Sequence, residues 1–322
     1  MQHPRSRRIG AGLGMAAVAA AALFTGACGS GPSADAARSG DGTRLTAVAT
    51  PAEVDVRREL RGLETSYKGR IGAYAIDTGT GRTVGYRGHE RFPSNSTFKA
   101  PLCGAVLHKA RTTDPGLMGR TLRWTKEDLV EHSPVTGLET NLKNGLNPAQ
   151  LCHATVTVSD NTAANLLLEQ IGGPSGMTRY YRSLGDPVGR LDRTETALND
   201  WKPGEKRDTI MPAFMASDLR ALTLGGALVP EDRGRLNAWL RATSTSAKRI
   251  RAGLPKDWTV GDKTGTGGPH SGAHDIAVVW PTSGAPLIIA VYTHRNAATP
   301  EYDESVIAKT ATVLARGLGR LP

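Results

Sequence analysis

The stretch WTVGDKTGTGGPHSGAHDIAVVWPTSGAPLIIAVYTH, residues 258–294, holds three runs of strand length. Trp258 to Lys263, Asp275 to Trp280 and Leu287 to His294 are rich in β-branched residues, and Gly- and Pro-containing turns separate them. Three consecutive strands are predicted. A last helix follows, with Asp303 as its cap and Val306, Ile307, Thr310, Val313 and Leu314 on one face. Towards the other end of the chain, Val54, Val56, Leu60, Leu63 and Tyr67 recur at helical spacing up to Gly69. Ile71 to Ile76 and Thr83 to Tyr86 then bracket the turn Asp77 to Gly81 and read as a hairpin. Between about Thr97 and Thr243 strand signals are scarce. Helical patterns run from Leu102 to Ala110, from Ala163 to Ile171 before Gly172-Gly173, and from Leu219 to Leu228 after the cap candidate Ser217. The order helix, strands, many helices, strands, helix has a simple spatial solution, an α+β fold of two regions. Residues 51–93 and 244–322 form an antiparallel sheet flanked by the N- and C-terminal helices, and residues 94–243 form an inserted all-helical region.

At 322 residues with 39% hydrophobic content, the chain can bury an ordinary core. Residues 1–28 have a basic start and an apolar, Ala-rich stretch from Ile9 to Phe24, the layout of an export signal. Ser6-Arg7-Arg8 resembles a twin-arginine start, and Cys28 in Thr25-Gly26-Ala27-Cys28-Gly29 resembles a lipoprotein cleavage site, with Thr25 where Leu is usual. The protein is therefore expected outside the cytoplasm, secreted or periplasmic, with membrane contact only through a lipid on Cys28. Residues 29–50 are Gly-, Ser-, Ala- and Asp-rich and read as a tether. The net charge of +10 falls to +7 once Arg5, Arg7 and Arg8 leave with the signal. No basic run is interleaved with aromatic residues, so nucleic acid is not an expected partner. With Cys28 lipidated or removed, Cys103 and Cys152 remain as an even pair in an oxidising compartment, where a disulfide is the expected state.

Ser96-Thr97-Phe98-Lys99 puts a hydroxyl and an amine three residues apart, on one face at the start of a helix, as an activated serine requires. Alone the pattern is weak, since Ser-x-x-Lys arises about once by chance in a chain of this length. An N-cap serine followed by an exposed lysine would look the same. Three further elements follow in order: Ser159-Asp160-Asn161, Glu195 within Arg193-Thr194-Glu195-Thr196-Ala197-Leu198-Asn199, and Lys263-Thr264-Gly265 on the first of the three C-terminal strands.

Together these motifs resemble the signature of the class A serine β-lactamases and the related penicillin-binding proteins. The likeness spans nearly all of residues 51–322 and includes Phe92-Pro93, Val130 to Thr136, Ala163 to Leu168, Arg207 to Pro212 and Asp275 to Pro281. It implies opening of the β-lactam ring of penicillin-type antibiotics through an acyl-enzyme on Ser96, and hence antibiotic resistance. No cofactor or metal is implied, and the family expectation is a monomer. The resemblance makes the Ser96 and Thr266 backbone N–H groups the oxyanion hole, in which one donor is typically worth about 10²- to 10³-fold. Lys99 and Glu195 become the basic groups, with Glu195 and Asn199 holding the water that deacylates the enzyme. Ser159 relays the proton to the departing nitrogen beside Lys263, and Asn161 holds the substrate side-chain amide. Lys263, Thr264, Gly265 and Thr266 form the strand edge that takes the substrate carboxylate. Arg249 falls where one branch of the family keeps an arginine for that carboxylate; the alternative is an exposed Arg in Lys248-Arg249-Ile250-Arg251. Arg193 and Asp208 match a pair that closes the loop carrying Glu195, and Cys103 and Cys152 match a disulfide found in part of the family.

Some positions depart from the pattern. Thr196 stands where many relatives have Pro, so a cis peptide there would be a non-proline one. His132 replaces an aromatic at the site entrance. Asn95 and Gly267 occupy two positions that are cysteines in carbapenem-hydrolysing relatives, which argues against a carbapenemase of that disulfide type. Of eight histidines only His270 and His274 are four apart, in a Gly-rich segment rather than a helix, a poor basis for zinc. A D,D-peptidase or penicillin-binding protein, or a sensor that acylates once, would use the same serine. Both would lack a base such as Glu195 with Asn199.

Overall fold

The structure is a computed structural model that describes residues 50–322 except Ser271 and Pro300. The expected signal and nearly all of the expected tether lie outside these residues. Thr50, placed in the tether by composition, is instead the cap of the first helix. Its hydroxyl accepts from Glu53 N while the Glu53 carboxylate accepts from Thr50 N, a reciprocal box that starts α1 (Pro51–Tyr67). The hairpin follows as β1 (Arg70–Asp77) and β2 (Thr83–Tyr86), then a short β3 (Phe92–Pro93). The helical region comprises α2 (Lys99–Thr112), α3 (Glu139–Asn144), α4 (Pro148–Thr157), α5 (Asn161–Gln170) and α6 (Gly173–Ser183). After β4 (Thr209–Ile210) come α7 (Pro212–Thr223) and α8 (Pro230–Arg241). The chain closes with β5 (Thr259–Thr266), β6 (Ala273–Trp280), β7 (Leu287–His294) and α9 (Ser305–Gly317).

The sheet order is β2-β1-β7-β6-β5, antiparallel throughout, so the first and last segments of the chain meet at the β1–β7 pair. Ile71 lies opposite Thr293, and Thr264 opposite Asp275. Every residue of β7 is buried because both faces of the sheet are covered. Alternate residues serve two cores. Leu287, Ile289 and Val291 pack with Val56, Leu60, Ile307 and Leu314 under α1 and α9. Ile288, Ala290 and Tyr292 pack with Phe92, Phe98 and Leu102 towards the helical region. A one-residue slip of β7 would exchange the two sets, so the register is strongly specified. Removing one of these side chains, as in Leu314→Ala, should cost about 2–5 kcal/mol. Among the described residues no helix is long and apolar enough to cross a membrane.

Most boundaries lie within three residues of the sequence reading, and the assigned caps of α7 and α9 differ from it. The helix expected from Leu219 after a Ser217 cap begins seven residues before Leu219, at Pro212, and ends at Thr223. Pro212 has the fixed φ that suits a first helical position, and it sets the start. Ser217 lies inside the helix, its hydroxyl donating to Ala213 O at 3.1 Å. Asp303 accepts from Ser305 N at 2.8 Å, but the formal cap of α9 is Glu304.

Candidate active site

Ser96 sits in a 3₁₀ turn, Asn95–Phe98, that runs directly into α2, so Lys99 is the first α-helical residue. The turn is clamped from two sides. Ser94 N and Oγ both donate to Asp208 O, and Thr97 Oγ shares a 3.0 Å hydrogen bond with the Tyr292 hydroxyl of β7. Ser159 and Asn161 flank the entry to α5, where Asp160 caps the helix through Ala163 N. The same carboxylate accepts from Val135 N, Thr136 N and the Thr136 hydroxyl, tying residues 135–136 to the site. Asn95, His132 and Ser159 have φ of 40°, 62° and 60°. This left-handed backbone costs a non-glycine residue energy; Asn95 directly precedes Ser96, and His132 O accepts from Asn161 N at 3.0 Å.

The structure brings Ser96, Lys99, Ser159, Glu195 and Lys263 together. Ser96 Oγ donates to Glu195 Oε1 at 3.1 Å, and Lys99 Nζ lies 3.0 Å from the same oxygen. Lys99 Nζ also meets Ser159 O at 2.8 Å, Ser159 Oγ at 3.2 Å and Asn161 Oδ1 at 2.5 Å. Lys263 Nζ approaches Ser159 Oγ from the other side at 3.1 Å. Both ammonium groups are fully buried. Loss of hydration pushes the Lys99 amine below its ordinary value, with the Glu195 charge opposing. Lys263 is pushed well below, by burial first and by the Lys99 charge second.

Glu195 is held on three sides. Asn165 donates to Glu195 O at 2.8 Å and accepts from Glu195 N at 2.9 Å, while Asn199 Nδ2 donates to Oε2 at 2.8 Å. The Glu195–Thr196 peptide is cis. Arg193 Nε meets Asp208 Oδ2 at 2.6 Å, and Asp208 Oδ1 accepts from the backbone N–H groups of Asp192 and Arg193. The loop carrying Glu195 is thereby closed at its base. Cys103 and Cys152 form a disulfide between α2 and α4, with Cα atoms 5.6 Å apart.

Arg249 is 4% exposed, which rules out the solvated alternative. Its guanidinium donates to Gly265 O, His274 O and Thr266 Oγ, each at 2.7 Å, and to Glu304 Oε1 at 2.9 Å. The Thr264 hydroxyl pairs with that of Thr245 at 2.6 Å. Asn161 points its amide N–H at Glu131 O. His132 is exposed, with Nε2 2.9 Å from Val158 O. The two histidines four apart go to different partners, His270 to Arg295 O and His274 to Asn95.

The family model described as "Beta-lactamase enzyme family" matches residues 55–317. A solved structure, the class A β-lactamase of the last common ancestor of Gram-negative bacteria, is 48% identical. It has a TM-score of 0.77 and covers 82% of this chain and 99% of its own. The chain belongs to the class A serine β-lactamases. The solved β-lactamase of Streptosporangium roseum is 60% identical with a TM-score of 0.81, covering 83% of this chain and all of that one. The β-lactamase FAR-1 of Nocardia farcinica (strain IFM 10152) is 46% identical over 260 residues, 81% of this chain and 82% of its own length.

Within this class A framework, several contributors escape a reading of the sequence. Asn165 lies on α5, four residues beyond Asn161, a spacing that places both on one helix face and could have flagged it. Asp160 lies inside a recognised motif, yet its part in holding residues 135–136 needs tertiary contacts. Thr245 and Glu304 carry no local signal, and the features that single out Asn95 and His274 in the sequence do not point to the hydrogen bond between them.

Proposed function

We propose that this protein hydrolyses the β-lactam amide of penicillin-type antibiotics and so confers resistance. The observation that carries the reading is the convergence on Glu195 Oε1 of the Ser96 hydroxyl at 3.1 Å and the Lys99 amine at 3.0 Å. Ser96 Oγ is the nucleophile, and its proton leaves along this hydrogen bond or to the Lys99 amine, whose lowered pKa favours a proton-accepting form. The backbone N–H groups of Ser96 and Thr266 receive the charge that develops on the carbonyl oxygen. Ser159, between Lys99 and Lys263, hands a proton to the departing ring nitrogen. Asn161 and His132 border the substrate side chain. The substrate carboxylate is taken by Thr264, Thr266 and Arg249. In the second half-reaction Glu195, oriented by Asn199, removes a proton from water as that water attacks the Ser96 ester.

A buried carboxylate poised on the nucleophile favours repeated turnover over a D,D-peptidase or a single-use sensor. The disulfide and the layout of residues 1–28 support export. The Cys28 lipid anchor, the tether and a monomeric state complete this reading. Glu195→Ala should leave acylation possible and trap the adduct. Intact mass after penicillin is the test, and a spectrum with no added mass overturns the assignment.

A further inference from the structure

The β6–β7 pairing stops at Asp275 opposite Val291, and two residues later Thr293 N–H has no strand partner on that side. A side chain fills the gap: His274 Nδ1 accepts from Thr293 N at 3.1 Å. A backbone N–H can only donate, so Nδ1 carries no proton and the ring of His274 presents N–H at Nε2. His274 Nε2 lies 2.5 Å from Asn95 Oδ1, Asn95 Nδ2 donates to Asn199 Oδ1 at 2.7 Å, and Asn199 Nδ2 donates to Glu195 Oε2 at 2.8 Å. Every bond in this chain runs the same way. One backbone N–H on β7 thus sets a tautomer and two amide orientations, and ends with an N–H on the catalytic carboxylate.

We infer that His274, acting through Asn95 and Asn199, is a positioning residue for deacylation that fixes which face of the Asn199 amide meets Glu195. The inference rests on the reading of Glu195 as the deacylating base. Reversal anywhere in the chain would turn the Asn199 carbonyl towards the Glu195 carboxylate, two acceptors with no hydrogen between them. The ring has little freedom to reverse. His274 is fully buried, its ring packed at a 35° tilt with its centroid 5.1 Å from that of Tyr292, and a Cβ on Gly265 would come within 3.3 Å of its Cδ2. Burial, and next the Arg249 charge, hold its pKa well below the ordinary value, so the imidazole stays neutral.

Two measurements test this. In the resting wild-type enzyme, ¹⁵N NMR should show His274 as the neutral Nε2–H tautomer; an Nδ1–H tautomer or an imidazolium overturns the inference without any turnover. The second uses substitutions that separate direction from volume. Asn95→Asp keeps the shape and, as the carboxylate, can only accept, which forces Asn199 to turn its amide. Asn95→Ala deletes the link and leaves Asn199 free to keep its orientation. Asn95→Asp should therefore deacylate at least tenfold more slowly than Asn95→Ala, with acyl-enzyme accumulating at steady state and acylation within about threefold of wild type. Equal loss in both steps, or a greater loss in Asn95→Ala, would mean a packing role only. Failure of Glu195→Ala to trap an adduct would instead remove the underlying reading of the base, while the tautomer would still report on the chain.

Discussion

Arg249 and Glu304 form a 2.9 Å ion pair at the end of β5, and the same guanidinium holds Thr266 Oγ at 2.7 Å. The arginine proposed to attract the substrate carboxylate is thus already partly neutralised by a carboxylate of the protein. Glu304→Gln keeps an acceptor of the same shape and removes the opposing charge. It should lower KM for penicillins about fivefold, the equivalent of ~1 kcal/mol, with kcat little changed. Steady-state kinetics decide, and a raised KM would show that the pair serves geometry alone.

Arg249→Ala should raise KM more than it lowers kcat, because the charge attracts ground state and transition state alike. It also strands Glu304 and leaves the Gly265 and His274 carbonyls without their donor. Breaking a buried pair of this kind costs about 3 kcal/mol of folding stability. Urea titration beside kinetics separates the two losses, and an unchanged KM would move the carboxylate site elsewhere.

Glu195→Gln bears on the pH dependence of acylation. The Glu195 charge opposes the desolvation that lowers the Lys99 pKa, so its removal should lower that pKa further. The acid limb of the acylation rate should then move to lower pH, while deacylation falls roughly 10³-fold. Stopped-flow acylation across pH reads both, and a limb displaced to higher pH would exclude Lys99 as its origin.

The disulfide closes a separation of 49 residues. On the chain-entropy model its loss destabilises the fold by about 4 kcal/mol, or on the order of 10 °C in Tm for a domain of this size. Replacing both Cys103 and Cys152 by Ser should lower Tm without changing KM at 25 °C, because neither cysteine is among the residues assigned to bind the substrate. An altered KM would show that it shapes the site.

Asp218 on α7 is buried with one carboxylate oxygen unpartnered, and burial followed by repulsion from Asp186 pushes its pKa up to about 8. The folded state therefore keeps a proton that the unfolded chain releases near its ordinary value of 3.8. Stability should fall as pH rises between about 4 and 8, by at most ~1.4 kcal/mol per unit from this group, and then level off. Asp218→Asn should flatten that slope in chemical denaturation, and a variant with the wild-type slope would assign it to another group.

Features that depend on near neighbours were legible from residue order alone. The hairpin of β1 and β2 and the three C-terminal strands follow from short β-rich runs and the turn residues between them. The Ser96–Lys99 pair follows from helical spacing. The α7 start was misplaced because Ser217 and Pro212 are both plausible start signals, and only packing chooses between them. Burial of Arg249 was equally hidden, since a run of three basic residues in four reads as solvent-facing until Glu304 is folded against it.

Residue order by itself determined the fold class, the motif set and the chemistry those motifs imply, because capping, turns and periodicity act over a few residues. The tertiary structure alone decided that His274 reaches Asn95 across 179 residues, that Arg249 is paired with Glu304, and that two lysines share the Ser159 hydroxyl. Such contacts depend on where the β6–β7 pairing ends and which face each strand presents. Sheet register and the closing of two cores set both, and no local preference encodes them.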